Sequence, residues 1–508
     1  MLRLGFLFGA GAEVSYGLPS GGKFALEIFR HDTGRSKEEF KKMRESIDKT
    51  RKYASKWLPD DYMSKSISSF GKSVYESIIR GTIEHNRDQI VSKLNGFDSF
   101  AKMAKTKVKR QSGKDIDQVI QDTLHRNVDE INMNQVVSFT EAFNDGNQLF
   151  SNNYFSALLQ LYKQKGFFTS DGARDELGHI IVSIMQLHIG ALSEKLTRKI
   201  NDSIFTRKDD DIDLFDDLGE IIQLNYQATG LSGIEYLVGK SEPDASTNAG
   251  AILLFAQCII EDIYTSVLDY KSLIDSNWHY LYYPKSEWSK FCKICIFLLT
   301  VRDYILKESV SIEPSSEDGY YHDLAKSGSI TPSIVATTNY SNIIKSVLGT
   351  NVIYLNGSTD LWYDPYLNRI DSKANLDAND PHFLVPLLFT QSGTKPMTSI
   401  DMSEQYVNAY RAWKDSDAIV TVGFGFNNDD EHINGILRTL VDKDGKSLIV
   451  VTLRGNLSDE QMLQEVADKL KVSSASNIAV IQVDENRFCQ KKQWVNCLPD
   501  HIIPLTKQ

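Results

Sequence analysis

Residues 2–8, LRLGFLF, form a near-continuous apolar run, and GAGAEVSYGLPS (residues 9–20) follows at once. A strand buried on both faces of a parallel sheet reads as unbroken apolar sequence rather than as alternation. A glycine-rich turn after such a strand is how doubly wound sheets bring backbone N–H groups up to a phosphate. The start of the chain therefore predicts an α/β protein. Five later runs extend the pattern: SIVATTN (333–339), NVIYLNG (351–357), AIVTVGFG (418–425), SLIVVTL (447–453) and NIAVIQV (477–483). They are short, rich in β-branched residues and separated by helix-length intervals, which predicts a parallel sheet with helices on both faces. Between them and the first strand, apolar residues recur at helical spacing, as in 38–47, 115–131, 176–196, 250–267 and 288–306. The expected architecture is a doubly wound, Rossmann-type parallel sheet made from residues 1–30 and 331–508. Residues 31–330 are expected as a mostly helical insertion.

The bulk properties narrow the class. A chain of 508 residues exceeds one ordinary core. Its net charge of −11 argues against sequence-independent nucleic-acid binding, which needs a basic surface. The one basic stretch, KMAKTKVKRQSGK (102–114), reads as a solvated helix face or loop. The acidic stretch RKDDDIDLFDDLGE (207–220) reads as an exposed linker or helix start. Five scattered cysteines point to a reducing compartment, and Cys292-x-x-Cys295, with no second such pair, reads as core rather than zinc. No cleavable leader pattern is visible, and the longest apolar run, 249–260, is short for a bilayer span. A cytoplasmic protein without a membrane segment is expected.

The opening turn meets the dinucleotide fingerprint GxGxxG only in part. Gly9-Ala10-Gly11 fits, but Val14 holds the third position. Taken alone, the turn suits a structural corner as well as a phosphate site. The longer spacing is more specific, with Gly17-Leu18-Pro19 beginning eight residues after Gly9. This resembles the sirtuin signature, in which Gly-Ala-Gly opens the NAD site and Gly-Ile-Pro follows at the same offset. Three further segments resemble the family in the same order. Thr337-Thr338-Asn339-Tyr340 is similar to the segment whose Asn lies near the nicotinamide ribose, and Tyr354-Leu355-Asn356-Gly357-Ser358 to its Leu-His-Gly segment. Ala418–Asp430, AIVTVGFGFNNDD, is similar to the later strand and Gly-x-Gly/Ser turn at the ribose and phosphates.

The resemblance covers about residues 1–30 and 331–490. The missing zinc ribbon, the Thr-Thr-Asn-Tyr form, the large insertion and the GFGFNNDDEHI stretch are most similar to the sirtuin-like NADases of bacterial anti-phage defence, as in Kongming-type or HerA-associated systems. It implies a sirtuin-like NAD hydrolase acting by abortive infection, releasing nicotinamide and ADP-ribose once a partner or nucleotide signal activates it. It implies NAD as substrate, no metal, an oligomer, and a HerA-type ATPase or a HAM-one-type nucleotide pyrophosphatase as partner. The alternative is a regulatory subunit that binds NAD or ADP-ribose without hydrolysing it.

Residues carried over for NAD binding are Gly9, Ala10, Gly11, Glu13, Gly17, Pro19, Thr338, Asn339, Gly357, Gly423, Gly425 and, by its place after a strand, Asp484, with Glu485 beside it. Catalytic candidates are Asn339, Asn356, Asp430 and His432. Asn339 would hold a water or a ribose hydroxyl, and Asn356 a ribose hydroxyl. Asp430, beside Asp429, or His432 would act as base, His382 being a further candidate. Three positions depart from the family. Asn356 replaces the usual His, Ser341 an Asp, and Ser20-Gly21-Gly22 the Asp-Phe-Arg after the proline. Glu13 stands where the family often has Ser, and either caps the helix or meets a ribose hydroxyl. His179 and His188 read as core or interface residues. Glu176 and His179 alone do not make a metal site.

Overall fold

The structure is a computed structural model that describes residues 2–19, 21–70, 81–82, 86–132, 148–164, 166–168, 171–191, 231–239, 241–268, 277–311, 318–328, 330–349, 351–377, 380–388, 399–455 and 457–502. The stretch 207–220 lies outside them. The chain divides into two compact units. One comprises Met1–Ser20, His31–Phe70 and Ile274–Gln508, the other Gly21–Arg30 and Gly71–Leu273.

The first unit carries a six-stranded parallel sheet. Its strands are β1 (Leu2–Phe8), β2 (Ile330–Thr337), β3 (Val352–Tyr354), β7 (Ala418–Val422), β8 (Ser447–Leu453) and β9 (Ile478–Val483), in the spatial order β3-β2-β1-β7-β8-β9. Counted within the sheet this is 3-2-1-4-5-6, the Rossmann-type order, and the order reverses between β1 and β7. Phe8 is in register with both Thr337 and Val422, so the central strands end level with one another. Their side chains are sealed on both faces. Leu4, Phe6, Phe8, Val335, Ala418, Val420, Val422, Ile449 and Val451 are buried on one face, and Leu7, Ala336, Ile419, Leu448 and Val450 on the other, as nearly continuous apolar runs require. A small antiparallel sheet, β5-β4-β6, is built from β4 (Gly357–Asp364), β5 (Arg369–Asp371) and β6 (Val385–Leu388).

The boundaries of the units differ from those expected at 30 and 330. Residues 31–70 join the sheet-bearing unit because Phe40 stacks on Phe383 at 4.6 Å and Tyr53 on His382 at 4.0 Å. The Trp288–Ser311 helix joins it through Phe291, edge-on to Phe383, and Arg302, which donates to the Thr359 carbonyl at 2.7 Å. Cys292 and Cys295 are buried in this helix, and burial pushes both thiols up.

In the second unit, helix α2 (Gly21–Arg30) packs on the Asn248–Val267 helix so closely that a Cβ on Gly22 would lie 2.1 Å from the Thr265 carbonyl oxygen. That contact accounts for a glycine after the Leu-Pro-Ser stretch. The Asn248–Val267 helix extends the apolar run beyond the 12 residues seen in the sequence. At 20 residues it is long and apolar enough to cross a bilayer, and most of it is buried. The basic stretch lies on the helix Phe97–Ser112. Ala101, Ala104 and Val108 face inward, while Lys105 pairs with Asp117 and Lys109 with Asp115.

Candidate functional site

The two glycine turns predicted to hold a nucleotide meet where the strand order reverses. The Gly9 N–H donates to the Val422 carbonyl at 2.9 Å, and the Gly11 N–H to the Gly423 carbonyl at 2.9 Å. A Cβ on Gly9 would sit 2.6 Å from the Gly423 oxygen, one on Gly11 2.9 Å from the Gly423 Cα, and one on Gly423 2.3 Å from the Ala12 nitrogen. These glycines are required because two backbones touch. That close approach alone excludes a side chain there, whatever the turns hold. Ala10 and Gly11 remain exposed at the rim.

The helix that follows is short: α1 spans Ala10–Val14, with Gly9 as its N-cap. Gly17 ends it at φ +86°. Its N–H bonds to the Val14 carbonyl, while the Leu18 N–H bonds to the Glu13 carbonyl. This is the Schellman termination, which favours glycine in the left-handed region. The eight-residue spacing from Gly9 to Gly17 thus measures one short helix and its cap, and Pro19 follows half-buried.

Glu13 lies inside α1's packed face, buried. Its Oε1 accepts from Ser341 Oγ at 2.6 Å and from the Tyr321 hydroxyl at 3.1 Å. Burial pushes its carboxyl up to about 7, against the pull of those two donors. Asn339, also buried, donates through Nδ2 to the Gly9 carbonyl at 3.0 Å and to the Tyr321 oxygen at 3.1 Å. Its amide nitrogen thus anchors the glycine turn, and its own N–H is held by Thr337 Oγ1 at 3.0 Å. Tyr16 closes the cluster. It stacks on Tyr321 at 5.2 Å, and its oxygen accepts the Tyr321 and His322 N–H groups. Capping of α1 by the Glu13 side chain is not seen, because that carboxylate turns to Ser341 and Tyr321.

The remaining candidates also follow strand ends. The Thr338 N–H donates to the Phe8 carbonyl at 3.0 Å. Asn356 is buried, with Nδ2 3.3 Å from the Thr338 carbonyl. Gly357 sits at φ +84°, where a Cβ would fall 1.9 Å from the Leu387 oxygen. Tyr406 links this segment to the last turn. Its hydroxyl donates to the Leu355 carbonyl at 2.6 Å, and its ring is edge-on to His432 at 5.5 Å. Its phenol is raised by burial and by the charge of Asp430. Asp430 is buried as N-cap of the helix Glu431–Asp442, the place its sequence neighbours suggested. The GFGF turn itself is unusual, with Gly423 at φ +62° and Phe426 at φ +52°. Gly425 is exposed between Phe424 and Phe426, whose rings meet edge-on at 5.0 Å.

Other residues have structural work. Asp484 is exposed, and its Oδ1 accepts the N–H groups of Asn486 and Phe488, closing the turn after β9, with Glu485 exposed inside it. His382, just before β6, is buried against Asp364 of β4 at 2.7 Å and against the Tyr53 ring. His188 is buried, and burial lowers its imidazole to about 4, while His179 stacks on Tyr236 at 5.5 Å. Glu176 accepts from the Tyr236 hydroxyl at 2.8 Å. Among the described residues no cluster of His, Cys, Asp and Glu has the form of a metal site. The residues that the sequence does not point to are Tyr16, Tyr321 and Tyr406. Tyr321 carried no usable signal, since it stands ten residues before the strand zone, in the stretch assigned to the insertion. Comparison with protein-family models, curated proteins and solved structures finds no match to this chain.

Proposed function

We propose that the sheet-bearing unit binds NAD across the β1–β7 break and hydrolyses its nicotinamide–ribose bond as a sirtuin-like effector of anti-phage defence. The observation that supports this most is the buried chain from the Gly9 carbonyl through Asn339 and Tyr321 to Glu13, anchored on the first glycine turn. Cleavage of an N-glycosidic bond passes through a cation-like ribose, and needs charge stabilisation and a positioned water. A carboxyl that titrates near neutrality is suited to both roles, as a partial negative charge and as a proton acceptor. It also offers a base where the family's His is replaced by Asn356.

Two departures from the family belong to one contact. Glu13 stands where Ser is usual and Ser341 where Asp is usual, and the two side chains bond each other at 2.6 Å. An acid and a hydroxyl are both retained, exchanged between the two positions. On this reading the second unit receives the activating signal or docks a partner, a HerA-type ATPase or a HAM-one-type nucleotide pyrophosphatase, and the active form is an oligomer.

Asn339→Ala tests the proposal. It removes the strut between the glycine turn and Tyr321, and should lower nicotinamide release by about 100-fold or more, in the range for losing one positioned active-site group. The assay uses purified protein with the products of its neighbouring genes and extract from infected cells. Thermal unfolding of the variant separates lost activity from lost fold. No nicotinamide from the wild type under these conditions would sink the enzyme reading. Recovery of tightly bound, intact NAD would favour the regulatory-subunit alternative. The commitment of Asn356 Nδ2 to the Thr338 carbonyl is the observation on that side.

A further inference from the structure

The helical unit carries a half-open cavity of about 310 Å³, a size at the lower end for small-molecule sites. Its floor is one face of the Asn248–Val267 helix, where Gln257 and Glu261 lie one turn apart. Lys23, Glu27 and Arg30, on one face of α2, form a wall, and Lys107 and Glu242 complete the lining.

Gln257 is 6% exposed, and its Oε1 is sealed from solvent without a hydrogen-bond partner. A buried carboxamide oxygen left unpaired is unfavourable and calls for a donor. The protein's nearby donors do not supply it. Each nitrogen of Arg30 already donates elsewhere, Nε to the Leu237 carbonyl, Nη1 to Glu27 and Nη2 to Glu261. Lys23 and Lys107 are less engaged by carboxylates. Each ammonium lies 4.0 Å from one, Lys23 from Glu261 and Lys107 from Glu242, an ion-pair distance too long for a hydrogen bond.

The charges balance, with three cations facing three carboxylates. A simple anion would meet Glu27, Glu242 and Glu261, and a simple cation would meet Lys23, Arg30 and Lys107. A small molecule carrying both signs satisfies each half. We propose that this cavity binds a zwitterion of the free amino-acid class, with its ammonium donating to Gln257 and Glu261 and its carboxylate held by Lys23 and Lys107. The site stands apart from the NAD reading and does not depend on it.

The test is calorimetry and thermal unfolding of the full chain with each of the twenty standard L-amino acids. Inorganic phosphate and spermidine serve as single-sign probes. At least one amino acid should bind and raise the unfolding midpoint. Gln257→Leu should weaken that binding at least about tenfold while leaving the unliganded midpoint equal or higher, since it removes an unpaired polar group. Lys107→Met, at a half-exposed position, should weaken binding too and serves if Gln257→Leu does not fold. The proposal is overturned if no amino acid binds, if phosphate or spermidine binds as tightly as the best amino acid, or if binding survives these substitutions.

Discussion

Gly423→Ala should cost the protein about 4 kcal/mol, a large share of a typical domain's stability. Two costs add. At φ +62° an alanine gives up about 1 kcal/mol for its left-handed backbone. Its Cβ would also lie 2.3 Å from the Ala12 nitrogen and 2.5 Å from the Gly11 carbonyl carbon. Those atoms are backbone and cannot rotate aside, so the turns must part, at about 2–3 kcal/mol or more. Two companion variants separate the contributions. Gly17→Ala sits at φ +86° with nothing within 4 Å, and should cost only the dihedral part, about 1 kcal/mol. Gly9→Ala has an ordinary φ of −104° but would meet the Gly423 oxygen at 2.6 Å, and should cost only the contact part. Urea unfolding of the three variants measures the order Gly423→Ala, Gly9→Ala, Gly17→Ala. If Gly423→Ala were no worse than Gly17→Ala, the two turns would not be in contact.

The same glycines show what could be read from the residues. All six strands were legible as short runs rich in apolar and β-branched residues; a doubly buried strand must be nearly continuously apolar, and Leu2–Phe8, its exposed Arg3 aside, Ile419–Val422 and Leu448–Val451 are. Their order was not, since nothing in Phe8 or Val422 records that the two are neighbours. The glycines therefore have a reason, the facing backbone, that the sequence does not show. A residue that must be small for a ligand and one that must be small for a facing backbone look identical in sequence. Likewise the offset from Gly9 to Gly17 was visible, but its cause, a five-residue helix closed by a Schellman turn, is a matter of hydrogen bonds. Glu13 is an oddity of the sequence, yet its partners Tyr321 and Ser341 lie over 300 residues away. The unit boundaries escaped for a similar reason. Apolar periodicity tells a helix which face to bury, but not against which partner, and so the sequence alone groups α2 with the sheet and residues 31–70 with the insertion.

Glu13 supplies the clearest pH dependence. In the unfolded chain its carboxyl ionises at its ordinary 4.5, whereas burial in the folded chain raises it to about 7. Between those values the folded state holds a proton that the unfolded state has released. Folding stability must then fall as pH rises through the window, with the full contribution present below 4.5 and lost once pH passes about 7. The interval corresponds to about 3 kcal/mol. Glu13→Gln has nearly the same shape, keeps an acceptor for Ser341 and Tyr321, and cannot ionise. Its stability should lack this decline, so that relative to the wild type it gains about 2–3 kcal/mol between pH 5 and pH 8. Comparing the two proteins cancels every other titrating group, including His188, whose lowered imidazole acts in the opposite sense at acid pH. Tyr321→Phe refines the test. It removes a hydroxyl that donates to the Glu13 carboxylate, and should move the upper end of the window to higher pH. Urea unfolding at half-unit pH steps measures all three profiles. Parallel profiles for wild type and Glu13→Gln would mean that Glu13 is ionised throughout, and would remove the group that the proposed NAD chemistry most needs.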